Sequence, residues 1–129
     1  METAELEAQV YSALSGDPSL TAMLAKGADS IFHLQAPGDT RARYPALVYA
    51  PVSDVPILVG DDMELAHRVT IRLHIITLDG RYGDVYRCAH RIMEGLGFVR
   101  FQTTPYIDDG QRILIVGLRG PSVWILTRA

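Results

Sequence analysis

Alternation of side chains with a period of two within the segment Leu65–Thr77 constrains the fold of this chain more than any other feature of its sequence. The odd-numbered positions from His67 to Ile75 carry His, Val, Ile, Leu and Ile, whereas the even-numbered positions between them carry Arg, Thr, Arg and His. A period of two over this length predicts a long β-strand. Its sheet should have one packed face and one face turned to water or to a partner.

Helical patterns lie on both sides of this strand. Apolar residues recur every four positions over residues 3–14, which predicts an N-terminal helix. A second, short helix is predicted to follow, with Asp17 as its N-cap, Pro18 at its first position and Gly27 as its C-terminal stop. A third helix is predicted between a capping Asp84 and Gly97.

The remaining segments are typical of strands and turns. Short strands are predicted over residues 30–35, 46–50, 98–106 and 111–119, with a hairpin turn at residues 108–110. Gly120-Pro121 is expected to break the last strand and leave a short apolar tail, which would form a last strand or a docking segment. The order α-α-β-β-β-α-β-β predicts one α+β domain over residues 1–129, with an antiparallel or mixed sheet packed against helices and residues 121–129 as a C-terminal extension.

Composition excludes several classes of protein. The chain is 48% hydrophobic, which is too apolar for disorder, and no apolar run approaches the roughly 20 residues that span a bilayer. No basic segment followed by an apolar stretch opens the sequence, so we expect no signal peptide. A net charge of −3 disfavours binding of nucleic acid by bulk charge, and no basic recognition helix is evident. Cys88 alone cannot form an internal disulfide.

The residues that carry chemistry are sparse and poorly grouped. His67 and His74 are seven apart on the predicted strand, so they face opposite sides and cannot share a metal. Cys88 falls on the apolar side of the third helix, which predicts a buried, inert thiol. No nucleophile elbow and no glycine-rich phosphate loop are present. The sequence therefore predicts neither an enzyme nor a cofactor or metal site.

Arginine makes up eleven of the twelve basic residues, and four arginines are predicted to form one surface. A solvated face is one interpretation of this surface. The other is a subunit interface, because interfaces favour arginine and are depleted in lysine. The four residues are Arg68 and Arg72 on the long strand, and Arg87 and Arg91 on the third helix.

An acidic loop is predicted over residues 54–62, which contain no basic residue. Its acidic group extends to Glu64 and comprises Asp54, Asp61, Asp62 and Glu64. The spacing of these carboxylates fits no twelve-residue calcium loop, so a solvated loop or a charged surface for a partner is the better interpretation. The loop also holds four apolar residues, which either cover the core or form part of an interface. They are Val55, Ile57, Leu58 and Val59.

Several short motifs follow one another in an order typical of one family. They are Ile-x-x-x-x-Ala-Pro (Ile31–Pro37), Tyr-Pro-x-x-Val-Tyr (Tyr44–Tyr49), Asp-Asp-x-Glu (Asp61–Glu64) and Ile-Met-x-x-Leu-Gly-Phe-x-Arg (Ile92–Arg100), followed by Tyr106 and an acidic turn. Over Ala4 to Arg119 the chain resembles the tail terminator, or tail completion, proteins of long-tailed bacteriophages and prophages. The order and spacing of the motifs carry this resemblance.

The resemblance implies a structural protein of the virion. Members of the family assemble as a ring, commonly a hexamer, on the last ring of the tail tube, end its polymerisation and present a surface to the head connector. The implied partners are further copies of the chain, the tail tube protein and head-connector proteins, with DNA only as passing cargo and no membrane. The implied location is the tail-head junction of a virion assembled in the bacterial cytoplasm, and no cofactor or catalytic residue is implied.

Other functions remain open. Another phage neck or head-closure protein would have the same size and fold class. A small ligand-binding or enzymatic α+β domain would instead show a concave pocket with convergent polar groups and perturbed titrating residues.

A closed ring needs two different, matching faces on each subunit, and the arginine surface and the acidic loop are predicted to be these faces. An acidic loop that lines the ring's opening, where it would repel passing DNA, is the alternative. Reversing the charge of Asp61 and Asp62 together should therefore prevent ring assembly, as measured by electron microscopy of capped tubes. Rings that form normally from this variant would contradict the interface hypothesis.

Overall fold

A computed structural model describes residues 3–35, 44–61 and 63–124. Three α-helices are present: α1 (Thr3–Ser15), α2 (Pro18–Thr21) and α3 (Gly83–Gly95), with a 3-10 helix at Gly27–Ser30. Five strands form one sheet: β1 (Ile31–His33), β2 (Ala46–Gly60), β3 (Met63–Thr77), β4 (Val99–Asp108) and β5 (Gln111–Trp124). The predicted α+β class and element order are confirmed.

The strands lie in the spatial order β1-β2-β3-β5-β4. β1 runs parallel to β2, and every other neighbouring pair is antiparallel, so the sheet is mixed. The central strand β3 therefore lies between the two other long strands, β2 and β5. Its alternating side chains divide between the two faces of the sheet.

The odd-numbered residues of β3 from Val69 to Ile75 are buried, with at most 1% of each residue exposed. They pack in one cluster with Val10 of α1, Leu20 in α2 and Met93 of α3. All three helices therefore cover the same face of the sheet. We call the other side the open face; it carries the even-numbered residues of β3 and the odd-numbered residues 113–119 of β5.

The start of α2 was predicted correctly, but its end was not. The Leu20 backbone N–H donates to Asp17 Oδ1 over 3.0 Å, which confirms the predicted N-cap. The prediction that this helix continues to Gly27 was wrong, because α2 ends at Thr21. Beyond it, the Ala25 N–H donates to the carbonyl of Pro45, which draws the chain towards β2.

The ends of α3 also match the sequence only in part. Asp84 was predicted to cap this helix, but the cap position is Tyr82 and no side chain bonds there. Asp84 lies in the first turn instead, where it pairs with Arg87 and faces the positive end of the helix dipole. Gly97 has a φ of 91°, which confirms the predicted left-handed stop.

The predicted acidic loop is largely a strand. β2 continues to Gly60, and Gly60 pairs with Met63, so β2 and β3 form one long hairpin with Asp61 in its turn. Asp61 adopts a φ of 51°, which aspartate tolerates better than most residues. Three register shifts between residues 51 and 59 bend the strand and accommodate Pro51 and Pro56.

Gly120-Pro121 does not break the last strand as predicted. β5 continues to Trp124, and the β3–β5 register shifts by one residue between Thr70–Arg119 and Arg68–Ser122. This bulge accommodates the proline. A Cβ at Gly120 would lie 2.7 Å from the Val69 carbonyl oxygen, so the close approach of the strands requires glycine there. The predicted 108–110 turn is confirmed, with Asp109 and Gly110 as the two turn residues.

Three predicted features lie outside the described residues. They are the Ala-Pro end of the first motif at residues 36–37, Asp62 of the acidic group and residues 125–129 of the C-terminal extension. No helix in the described part of the chain is long and apolar enough to cross a membrane.

Replacing Leu73 by Ala should lower the free energy of unfolding by about 2–5 kcal/mol, because the side chain is 1% exposed at the centre of the core. Leu78→Ala serves as the control: that residue is 42% exposed, and its change should stay near 0.5 kcal/mol. Urea denaturation followed by circular dichroism measures both. Equal effects of the two substitutions would contradict the assignment of the core.

Candidate functional site

The four predicted arginines do not form one surface. Arg68 and Arg72 lie on the open face, whereas Arg87 and Arg91 lie on α3, which packs against the opposite face. The apolar side of α3 contacts the core, so its charged side points away from the sheet. The prediction of a joint arginine surface was therefore wrong about geometry, and the chain has two separate cationic regions.

The arginines on α3 are already paired within the subunit. Arg87 forms an ion pair with Asp84, and Arg91 Nη2 lies 3.2 Å from Asp17 Oδ2. The Leu20 backbone N–H and, to a smaller extent, the Arg91 guanidinium hold the pKa of Asp17 below its ordinary value. These contacts join α3 to the start of α2 and leave little unmatched charge for a partner.

Cys88 lies beneath this pair and is buried as predicted. Its Sγ is 3.4 Å from Arg91 Nη2 and 3.8 Å from Asp17 Oδ1. Over the described ranges, no group of three or more His, Cys, Asp or Glu side chains is placed to hold a metal ion.

A groove of about 310 Å³ crosses the open face. Its polar lining comes from Thr70, Arg72, Gln102 and Thr104, and its apolar lining from Val52, Phe101, Ile115 and Gly117. The Arg119 guanidinium lies 4.6 Å from the centre of the Phe101 ring, a cation–π distance. The groove combines apolar lining residues with the cation of Arg72, so it suits a ligand group that is both apolar and anionic.

Local sequence explains the shape of the groove. A Cβ at Gly117 would lie 2.8 Å from Phe101 Cζ, so only glycine lets the ring lie across β5. Phe101 itself occupies a register shift between Arg100 and Gln102 of β4, where the bulge turns the ring onto the open face.

Three arginines of the open face have no carboxylate partner among the described residues. Among the described residues, no carboxylate lies within 4 Å of Arg68, Arg72 or Arg119. Arg68 Nε is buried without a hydrogen-bond partner there. Burial, and to a smaller extent the Arg72 charge, lower the pKa of His74 on the same face. The open face therefore carries positive charge that no carboxylate in the described part of the chain neutralises.

The predicted acidic residues divide between the base and the tip of the hairpin. Asp54 Oδ1 lies 2.6 Å from Nδ1 of the buried His67, so this carboxylate braces the base. Asp61 and Glu64 are exposed near the tip, and neither has a cation within 4 Å among the described residues. We call residues 55–65 the hairpin arm.

Apolar side chains on the hairpin arm are exposed. Val55, Ile57, Leu58 and Val59 are 40–61% exposed, so the prediction that they cover the core was wrong. Met63 at the tip is 56% exposed. An apolar surface that protrudes from a fold in this way is typical of an interaction site. Their role in an interface remains a prediction.

The groove lacks the groups needed for acid–base or nucleophilic chemistry. Of the described residues that line it, only Arg72 is charged, and the Gln102 Nε2 group donates to Thr104 Oγ1 over 3.4 Å. The arrangement can bind an anionic group but offers no general base. Sequence reasoning missed Phe101 and Arg119, because their position depends on a strand register that no pattern in the sequence specifies.

The pH dependence of stability should contain a contribution from His74. Unfolded His74 protonates near its ordinary pKa of 6.5, whereas folded His74 stays neutral to lower pH. The contribution of neutral His74 to the free energy of unfolding is thus fully present above pH 6.5. It is lost as the pH falls through the pKa of His74 in the folded protein. His74→Gln should reduce the drop in urea midpoint between pH 7.5 and 5, and an unchanged drop would contradict this.

Arg72→Gln should raise the pKa of His74, as measured by NMR titration.

Comparison with known proteins finds a likeness among solved structures. No protein-family model matches the sequence, and a search of curated proteins returns no match. Among solved structures, the chain is similar to one described as "Virion of native gene transfer agent (GTA) particle", with a TM-score of 0.64 and 16% sequence identity. The alignment covers 92% of this chain and 94% of that chain. At this identity the likeness establishes a shared fold over nearly the whole length of both chains.

Proposed function

We propose that this chain is a structural protein of a phage-type virion that forms a ring, caps the tail tube and joins it to the head connector. The observation that carries the proposal is the fold shared with a chain of the gene transfer agent virion over 92% of this chain and 94% of that one. The ordered motifs from Ile31 to Arg100 support the same assignment through their resemblance to tail terminator proteins.

The distribution of surface features supports an assembly role. The hairpin arm is apolar and acidic, whereas the open face is apolar and cationic. Two different, complementary surfaces on one subunit allow head-to-tail contacts, which close into a ring when the rotation between subunits permits. A binding groove without a general base fits such a role better than it fits catalysis.

The structure narrows the residues that we propose for this interface. The proposed charged contacts are Arg68 and Arg72 on the open face, and Asp61 and Glu64 near the arm tip. Asp62 stays in the set on the sequence alone. Asp54, Arg87 and Arg91 are less suited, since each already has a partner of opposite charge or a histidine within its own subunit.

Deleting the gene from the phage or particle that encodes it should produce tails of uncontrolled length, because nothing would stop the addition of tube subunits. Negative-stain electron microscopy measures the distribution of tail lengths, and the wild-type gene supplied in trans should restore uniform tails. Tails of normal length beside unattached heads would instead assign the chain to the neck or head-closure proteins. Normal particles would overturn both functions.

A further inference from the structure

We propose that the groove on the open face receives the tip of the hairpin arm from a second copy of this chain. This inference rests on the proposed ring and names the two surfaces that would join its subunits. Carboxylates of Asp61 and Glu64 would pair with Arg72 and Arg119, and apolar arm side chains would lie against Phe101.

Charge complementarity is the first argument. Arg72 in the groove and Arg119 beside Phe101 have no carboxylate within 4 Å among the described residues, and Asp61 and Glu64 at the arm tip have no cation there. Each surface thus has the charge that the other lacks. Charges of this kind set the register and the choice of partner in an interface more than its affinity.

Apolar complementarity is the second argument. Phe101 remains 44% exposed and Val52 45% exposed at the groove, and Val59 and Met63 are 61% and 56% exposed on the arm. Burying both sets together removes apolar area that neither surface can bury alone. Charge flanking an apolar contact is the ordinary composition of a specific protein interface.

Geometry requires that the arm and groove in contact belong to different copies. Glu64 and Arg72 are eight residues apart on one continuous strand, a separation of about 27 Å. The β2–β3 ladder holds this stretch extended from Gly60–Met63 to Ala50–Arg72. The tip therefore cannot reach the groove of its own subunit, and the contact between copies is head-to-tail.

Disulfide trapping with the full chain tests the contact, both in concentrated solution and on purified particles. Asp61→Cys places a thiol at the arm tip, and Thr104→Cys places one at the groove. Oxidising an equimolar mixture of the two variants should yield a dimer containing one of each, and the double variant should yield covalent multimers. Either variant alone should yield little dimer, because tips do not meet tips and grooves do not meet grooves.

A matched control keeps the arm thiol and moves the second thiol to the helical side. Arg87 is highly exposed on α3, with 71% of its side chain accessible, so Asp61→Cys combined with Arg87→Cys should give no multimers beyond those of Asp61→Cys alone. The wild-type chain controls for the buried Cys88.

Charge exchange provides a second readout. Arg72→Glu or Glu64→Arg should each lower the cross-linking rate of the double-cysteine chain about tenfold, and the two changes together should restore most of it. Circular dichroism checks that each variant folds. Loss without restoration would overturn the proposed pairing.

The remaining outcomes each decide the inference. Equal multimers with the Arg87→Cys control, efficient dimers from Thr104→Cys alone, or no cross-link in either setting would overturn it. Rings that are visible by electron microscopy but not cross-linked would leave the proposed ring intact and overturn only the contact between arm and groove. The tail-length experiment tests the proposed function separately. Inorganic phosphate that raises the Tm of the wild type but not of Arg72→Glu, without multimers, would assign the groove to a small anion.

Discussion

Three helices cover only one face of the five-stranded sheet, and the rest of the structure depends on this one-sided packing. The alternation along β3 imposes it, because Val69, Ile71, Leu73 and Ile75 must be buried on one side. The opposite side chains then lie on a face that no helix of the described residues covers. At one end of that face, Val48, Ile76 and Ile113 form a small buried cluster, but near Arg72 and Arg119 it stays open.

Several elements and helix ends were predicted correctly from local patterns in the sequence. The alternation of β3, the Asp17 cap and the Gly97 stop all follow from nearest-neighbour chemistry. The prediction was wrong where tertiary pairing overrides a local signal. Pro56 and Gly60 indicate a loop, yet the ladder with β3 holds them in a strand. Gly120-Pro121 indicates a break, yet a bulge lets β5 continue past it.

The candidate site was less predictable than the fold, for a physical reason. Its residues come from four strands, and their meeting depends on registers that are shifted by bulges in β2, β4 and β5. The sequence identifies Arg68 and Arg72 as one pair, but it does not show that α3 lies on the other side of the sheet. Phe101 is brought to Gly117 by a one-residue shift that no periodicity reveals.

The hydrogen bond between Asp54 and the buried His67 has a mechanical consequence for the hairpin. It ties β2 to β3 near the point where the hairpin leaves the helix-covered core. Beyond Ala66, which pairs with Trp124 of β5, the two strands pair only with each other among the described residues. The hairpin arm is therefore held at its base by the Asp54–His67 hydrogen bond. A rotation of the hairpin arm by a few degrees about Asp54 would displace Asp61 by a few ångströms. A small change in side-chain packing at the base is therefore enough to change the position of the tip.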